Sequence, residues 1–171
     1  MASSLSGSLS ISGAIDYVGA SVSSTLTDKI AGVIESWTIA NGTGANQADI
    51  MWHDQRTLAA STSEDLDLSG VLTDSFGVSV ALARVKAIIV SAASANGGLI
   101  QVGGASSNQF INWVANASDI IQIRAGGFML LVAPDATAYA VTATTGDLLK
   151  IANTDGAAAG TYDIYIIGAS A

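Results

Sequence analysis

The chain contains no cysteine and a single proline, Pro134. Without thiols there is no disulfide framework, no thiolate nucleophile and no thiolate metal site, so packing and hydrogen bonds alone must hold the fold. With one proline, most extended segments are free to act as hydrogen-bonded central strands. Cations are equally scarce. Six Lys or Arg stand against fourteen Asp or Glu, a formal charge of −8. The six are scattered at Lys29, Arg56, Arg84, Lys86, Arg124 and Lys150. Direct nucleic-acid binding needs clustered cations that neutralise phosphates, so no nucleic-acid partner is expected. Aromatic residues make up only 6% of the chain. That leaves little for the stacking platforms of a carbohydrate site.

Long apolar runs are missing too. The longest, such as 128–133, fall far short of the roughly 18 residues of a membrane span, so no membrane partner is expected. The N-terminus, Met1-Ala2-Ser3-Ser4-Leu5, has no basic residue and no continuous apolar run, and a secretory signal is not expected. Only 12% of residues are charged. A surface of Ser, Thr, Gly and Ala with so few charges suits close subunit contact, because charge is depleted at interface cores. The acidic balance serves solubility, with steering towards a basic protein surface as the alternative.

What is present is a series of short apolar segments closed by turn signals. Four occupy the last third: 119–124 before Ala125-Gly126-Gly127, 128–132 before Pro134-Asp135, 147–151 before Asn153-Thr154-Asp155-Gly156, and 162–167 before Gly168. Upstream, 50–58, 63–68, 76–82, 85–90, 99–102 and 110–114 read as further strands. Alternation is clear at Leu66 and Leu68, and at Phe76, Val78, Val80 and Leu82. The unbroken run 85–90 reads as a central strand, and Asn96-Gly97-Gly98 as a hairpin turn. Residues 15–40 are ambiguous. Leu26, Ile30, Val33, Ile34 and Trp37 fit one helical face, but Gly32 weakens a helix and 33–39 suits a strand, which is the reading preferred here. Nine to eleven strands in all predict an all-β, antiparallel β-sandwich or jelly-roll-like barrel. An extended arm over 1–14 would precede a single domain over 15–171. The expected core is Val80, Leu82, Ile89, Ile121, Ile123, Leu149, Ile151, Ile164 and Ile166.

Constellations that could carry chemistry are sparse. Any Ser-His-Asp arrangement must use His53, the one histidine. Its neighbour Asp54 would point to the opposite face of a strand. Glu64, Asp65 and Asp67 could offer oxygen ligands to a cation, but they lack the spacing of a calcium loop and read as a solvated strand face. A carboxylate pair for glycoside hydrolysis is a spatial property and stays open. Trp37, Trp52 and Trp113 read as core or interface residues. Gly103-Gly104 and Gly126-Gly127 fit no phosphate-binding motif and read as turns. No catalytic, cofactor-binding or metal-binding residue is therefore assigned, and no cofactor is expected.

Three stretches together resemble small proteins encoded among the virion structural genes of tailed bacteriophages. They are 41–49 (Asn-Gly-Thr-Gly-Ala-Asn-Gln-Ala-Asp); 53–58, 63–68 and 72–77; and 133–137 with 146–151 and 162–168. The resemblance covers about residues 40–171 and leaves the first 40 outside it. It implies a non-enzymatic virion component made in the host cytoplasm. A homo-oligomeric capsid decoration, or cement, protein on the major capsid protein is the first expectation. A tail or adaptor component, or a receptor-binding β-sandwich at the tail, is the alternative. On charge alone, the purified protein should not bind bare duplex DNA at physiological salt; retention in a mobility-shift assay would contradict this reading.

Overall fold

The computed structural model describes residues 4–20 and 25–171, with the side chains of 16–31, 33 and 34 left aside. The first three residues of the expected arm thus lie outside the described residues. The chain is all-β, with no helix among the described residues. Eight strands form the body. They are β4 (Ile50–Leu58), β5 (Ser63–Asp67), β8 (Arg84–Ala92), β9 (Ile100–Gly103), β10 (Ile120–Ile123), β11 (Phe128–Val132), β13 (Leu148–Asn153) and β14 (Gly160–Ala169). One sheet has the order β11-β8-β14-β4, and the facing sheet has β10-β9-β13-β5. The pairings within both are antiparallel. Each consecutive pair, β4 to β5, β8 to β9, β10 to β11 and β13 to β14, passes from one sheet to the other. That is the strand order of a jelly roll. No backbone pairing joins the two sheets, so the barrel is open and the body is a sandwich.

The core lies between the sheets. Ile88, Val90, Ile164, Ile166 and Tyr162 come from one side, and Leu66, Ile100, Val102, Leu149 and Ile151 from the other; all are fully buried or nearly so. Seven of the nine expected core residues are buried. The other two are corrections. Ile89 is half-buried on the opposite face of β8, because a bulge shifts the strand's phase. Val85 and Ile88 both face the core, with Lys86 and Ala87 between them where simple alternation allows one residue. Gly168 sits opposite this bulge, where an added Cβ would collide with the Arg84 carbonyl and the Leu82 side chain. Ile121 has the expected phase, opposite Val102, but β10 is an edge strand and leaves it 39% exposed.

Other departures follow from turn chemistry. The alternation over 76–82 yields only β7 (Ser79–Ala81), paired with β6 (Ser69–Thr73). Asp74 Oδ1 accepts the N–H groups of Phe76 and Val78 and folds these residues into the hairpin's turn. Asn96-Gly97-Gly98 does not close a hairpin, since β8 and β9 lie in different sheets. Its Asn96 instead bonds the backbone of Thr161 in both directions. Residues 110–114 form no strand; Phe110 and Trp113 are buried in turns, with Trp113 Nε1 donating to the Phe110 carbonyl. A two-residue strand, β12 (Tyr139–Ala140), extends the β11 edge along β8.

Where it is described, the ambiguous stretch 15–40 is strand over 15–20 and 25–40, and residues 21–24 lie outside the described residues. β1 (Gly7–Ala20) and β2 (Thr25–Asn41) pair antiparallel along their length, with a register shift between Gly13 and Ile15. Gly32 adopts φ 65°, which a helix would not permit. The boundary expected at residue 14 falls inside β1. A short strand, β3 (Gln47–Ala48), lies parallel beside the end of β2.

The two burial outcomes make a paired test. Ile164→Ala or Ile151→Ala should destabilise by about 2–5 kcal/mol, through lost transfer energy and a residual cavity. Ile121→Ala should cost less than about 1 kcal/mol. Urea unfolding midpoints at constant m report both.

Candidate interaction surface

The sheet registers place side chains in rows across each outer face. On the β5–β13–β9–β10 sheet the outer rows are polar: Asp65 lies opposite Lys150, Ser63 opposite Ala152, and Gln122 opposite Gln101. This is the usual solvent face of an antiparallel sheet. The other sheet differs. One outer row runs Met51, Ile167, Ala87, Val132; the next His53, Tyr165, Ile89, Leu130; the third Gln55, Asp163, Ser91, Phe128. Only Asp163 among these carries a formal charge at neutral pH, and it accepts a hydrogen bond from Gln55 Nε2 at 2.9 Å. The first two rows are largely apolar, while the third is polar apart from Phe128.

Part of that face is already covered. The base of the β1–β2 ribbon packs Trp37, Ile39, Leu5 and Leu9 onto Ala87, Val132 and Ile167 of the first row. Beyond this the ribbon parts from the sheet. A cleft of about 300 Å³ opens between Leu9, Ile11 and Trp37 on the ribbon and Leu130, Val132 and Pro134 below. The Trp37 indole N–H is buried with no acceptor among the described residues. The second and third rows lie open: Tyr165 is 42% and Phe128 65% exposed. His53 is exposed and stacks on Tyr165, with ring centroids 5.8 Å apart and planes 20° from parallel.

The residues singled out in the sequence do not converge. His53 lies on the outer face, while Asp54 points the other way and pairs with Arg56 at 2.9 Å. The three acids at 64–67 divide between two faces. Glu64 turns inward, where its Oε2 accepts from Arg56 Nε at 2.7 Å and its Oε1 accepts from the Tyr162 hydroxyl at 2.7 Å. This contact ties β4 and β14 to β5 across the open side of the sandwich. It raises the Arg56 pKa, and burial with the Glu64 contact raises that of Tyr162. Asp65 faces solvent, and Asp67 accepts from Ser69 N–H and hydroxyl. No group of three or more metal-ligating side chains occurs among the described residues. Trp37, Trp52 and Trp113 are all buried, as read from the sequence.

Much of the acidic excess is engaged in backbone structure. Asp49, Asp67, Asp74, Asp119, Asp135, Asp147 and Asp155 each accept at least one backbone N–H. Two cations complement the loops from within. Lys86 is fully buried, and its ammonium donates to the carbonyls of Gly44 and Asp135; desolvation pushes its pKa down. Arg84 donates to the Thr43 and Ala136 carbonyls.

Sequence reading missed the outer face. The available signal was that β14 and β11 do not alternate: 164–167 and 128–132 are continuous apolar runs. Such runs indicate strands covered on both faces. No family model, curated protein or solved structure matches this chain.

The turn carboxylates generate a pH prediction. Backbone N–H donation from Ala138 and Thr137 holds Asp135 below the ordinary aspartate range, and donation from Ala157 and Ala158 does the same for Asp155. With the folded pKa below the unfolded one, their contribution is full above about pH 4 and lost as pH falls through the lower folded value. The double variant Asp135→Asn, Asp155→Asn should keep the turns but show a shallower loss of thermal stability between about pH 4 and pH 2. Equal acid slopes in variant and wild type would contradict the assignment.

Proposed function

We propose that this chain is a non-enzymatic structural protein of a tailed bacteriophage particle, a decoration protein bound to the assembled head. The observation that carries the reading is the apolar, almost uncharged outer face of the β4–β14–β8–β11 sheet on a small, cysteine-free β module. A surface of that kind serves protein contact. The buried tryptophans offer no sugar platform, which favours a structural role over a glycan-binding one. Glu64 is matched by Arg56 and Tyr162, and seven aspartates hold backbone N–H groups, which favours a structural role over hydrolysis by facing carboxylates. Jelly rolls occur in capsid proteins and also in lectins and cupins, so the fold supports the reading by analogy alone. The particular kind of particle rests on the sequence resemblance over residues 40–171.

The mechanism is mass action. A protein that binds the assembled lattice and not its free subunits shifts the equilibrium towards the intact shell. Repeated contacts over neighbouring subunits add avidity. The partner is the major capsid protein or another virion protein, and the working location is the virion. The test is electron cryomicroscopy of purified particles carrying a labelled copy, with mass spectrometry of their proteins. Label on the head lattice, with heads that break at lower temperature when the protein is omitted, is the expected result. Label confined to the tail supports the tail or adaptor alternative. Absence from particles overturns the proposal.

A further inference from the structure

We infer that the open outer face of the β4–β14–β8–β11 sheet, together with the cleft beneath the ribbon, seats the ribbon of a second copy of this chain. The first argument is the ribbon's length. β1 runs over 14 residues, which at about 3.3 Å each spans roughly 45 Å. Among the described side chains of the ribbon, those at its base rest on its own sandwich. From Ser10 to Ile15 every residue of β1 is exposed, with Ile11 at 40% and Ile15 at 63%. A two-stranded ribbon without a covered face is marginal in water, so one this long calls for a further layer.

The second argument is continuity. The contact at the ribbon's base shows what the outer face accepts: Leu9 and Trp37 against Ala87, Val132 and Ile167. The same face continues as Ile89, Leu130, Tyr165 and Phe128, and the ribbon continues as Ile11 and Ile15. Like surfaces extend past each other's reach within one chain and can meet between two.

The third argument is charge, and it selects a second copy over another occupant. A chain of net charge −8 can self-associate only where carboxylates do not face each other. The second and third outer rows hold one carboxylate, Asp163, already bonded to Gln55. The stretch from Leu9 to Ile15 carries no charge, and Glu35, opposite Ile11 on β2 and lining the cleft, is the one carboxylate beside it on the described part of the ribbon. A basic partner would find only Asp163 on the open rows and Glu35 at the cleft, too few for a charge-driven contact. The inference concerns the surface of the chain alone, so it stands or falls separately from the protein's place in a particle.

The absence of native cysteine makes the test clean. Ile15→Cys and Tyr165→Cys, both at exposed sites, are prepared separately, one with a mass tag, then mixed and treated with a short bismaleimide. The expected product is a covalent dimer joining the two different variants. In parallel, light scattering should give the wild type a mass at least twice the 17.1 kDa of one chain. Tyr165→Asp with Phe128→Asp should run at the single-chain mass with an unchanged far-UV spectrum. A wild type that stays monomeric at every concentration, crosslinks confined to like pairs, or an oligomer that survives the double aspartate variant would overturn the inference.

Discussion

Tyr162, Ile164 and Ile166 of β14 pack into the space between the sheets, while Tyr165 and Ile167 on the same strand emerge on the other side. Much of the architecture depends on this two-sided apolar strand. Its inner residues meet Leu149 and Ile151 and build the sandwich core. Its outer residues cannot be left wholly to water, so the ribbon's base covers Ile167 through Trp37, Leu5 and Leu9. The Tyr162 hydroxyl would be costly to bury alone. Its bond to Glu64, in turn paired with Arg56, satisfies that group and ties the two sheets at their open side. One strand thus sets the core, the lateral closure and the site where the ribbon is rooted.

The two outer faces have divided the roles that an ordinary sandwich gives to both. The sheet containing β5 and β13 is solvated through Asp65, Lys150, Gln101 and Gln122. The sheet containing β4 and β14 keeps Tyr165, Ile89, Leu130 and Phe128 on its outer face beyond the ribbon's base, with Asp163 its one carboxylate there. Charge is distributed to match, because many aspartates are turned to loop N–H groups and away from that face. The net charge of −8 is therefore less a field for steering partners than a consequence of building many turns with aspartate.

The sequence made the all-β class and most strands legible, because turn signals and alternation are local. The phase of β14 and β13 could be read directly from residues 162–166 and 149–151. The phase of β8 could not, since the bulge at Lys86 is imposed by the close approach of Gly168 from a strand some eighty residues away. Phe76 and Val78 continue a perfect alternation, yet Asp74 captures their N–H groups and ends the strand; two local signals competed and the turn won. The extended state of residues 25–41 was ambiguous because its apolar positions fit both periods. The interaction face was least visible. Ile89, Phe128 and Tyr165 lie in apolar runs that mark strands covered on both faces, but only register brings them, with Met51, into rows.

On the proposal above, the outer face of the β4–β14–β8–β11 sheet is covered when the protein is assembled. Hydroxyl-radical footprinting reads this directly, with Phe76, 84% exposed in the separate β6–β7 hairpin, as the internal reference. As the protein passes from dilute solution to its assembled form, modification of Met51, Phe128 and Tyr165 should fall relative to Phe76. Constant labelling of these three residues across that change would contradict the account.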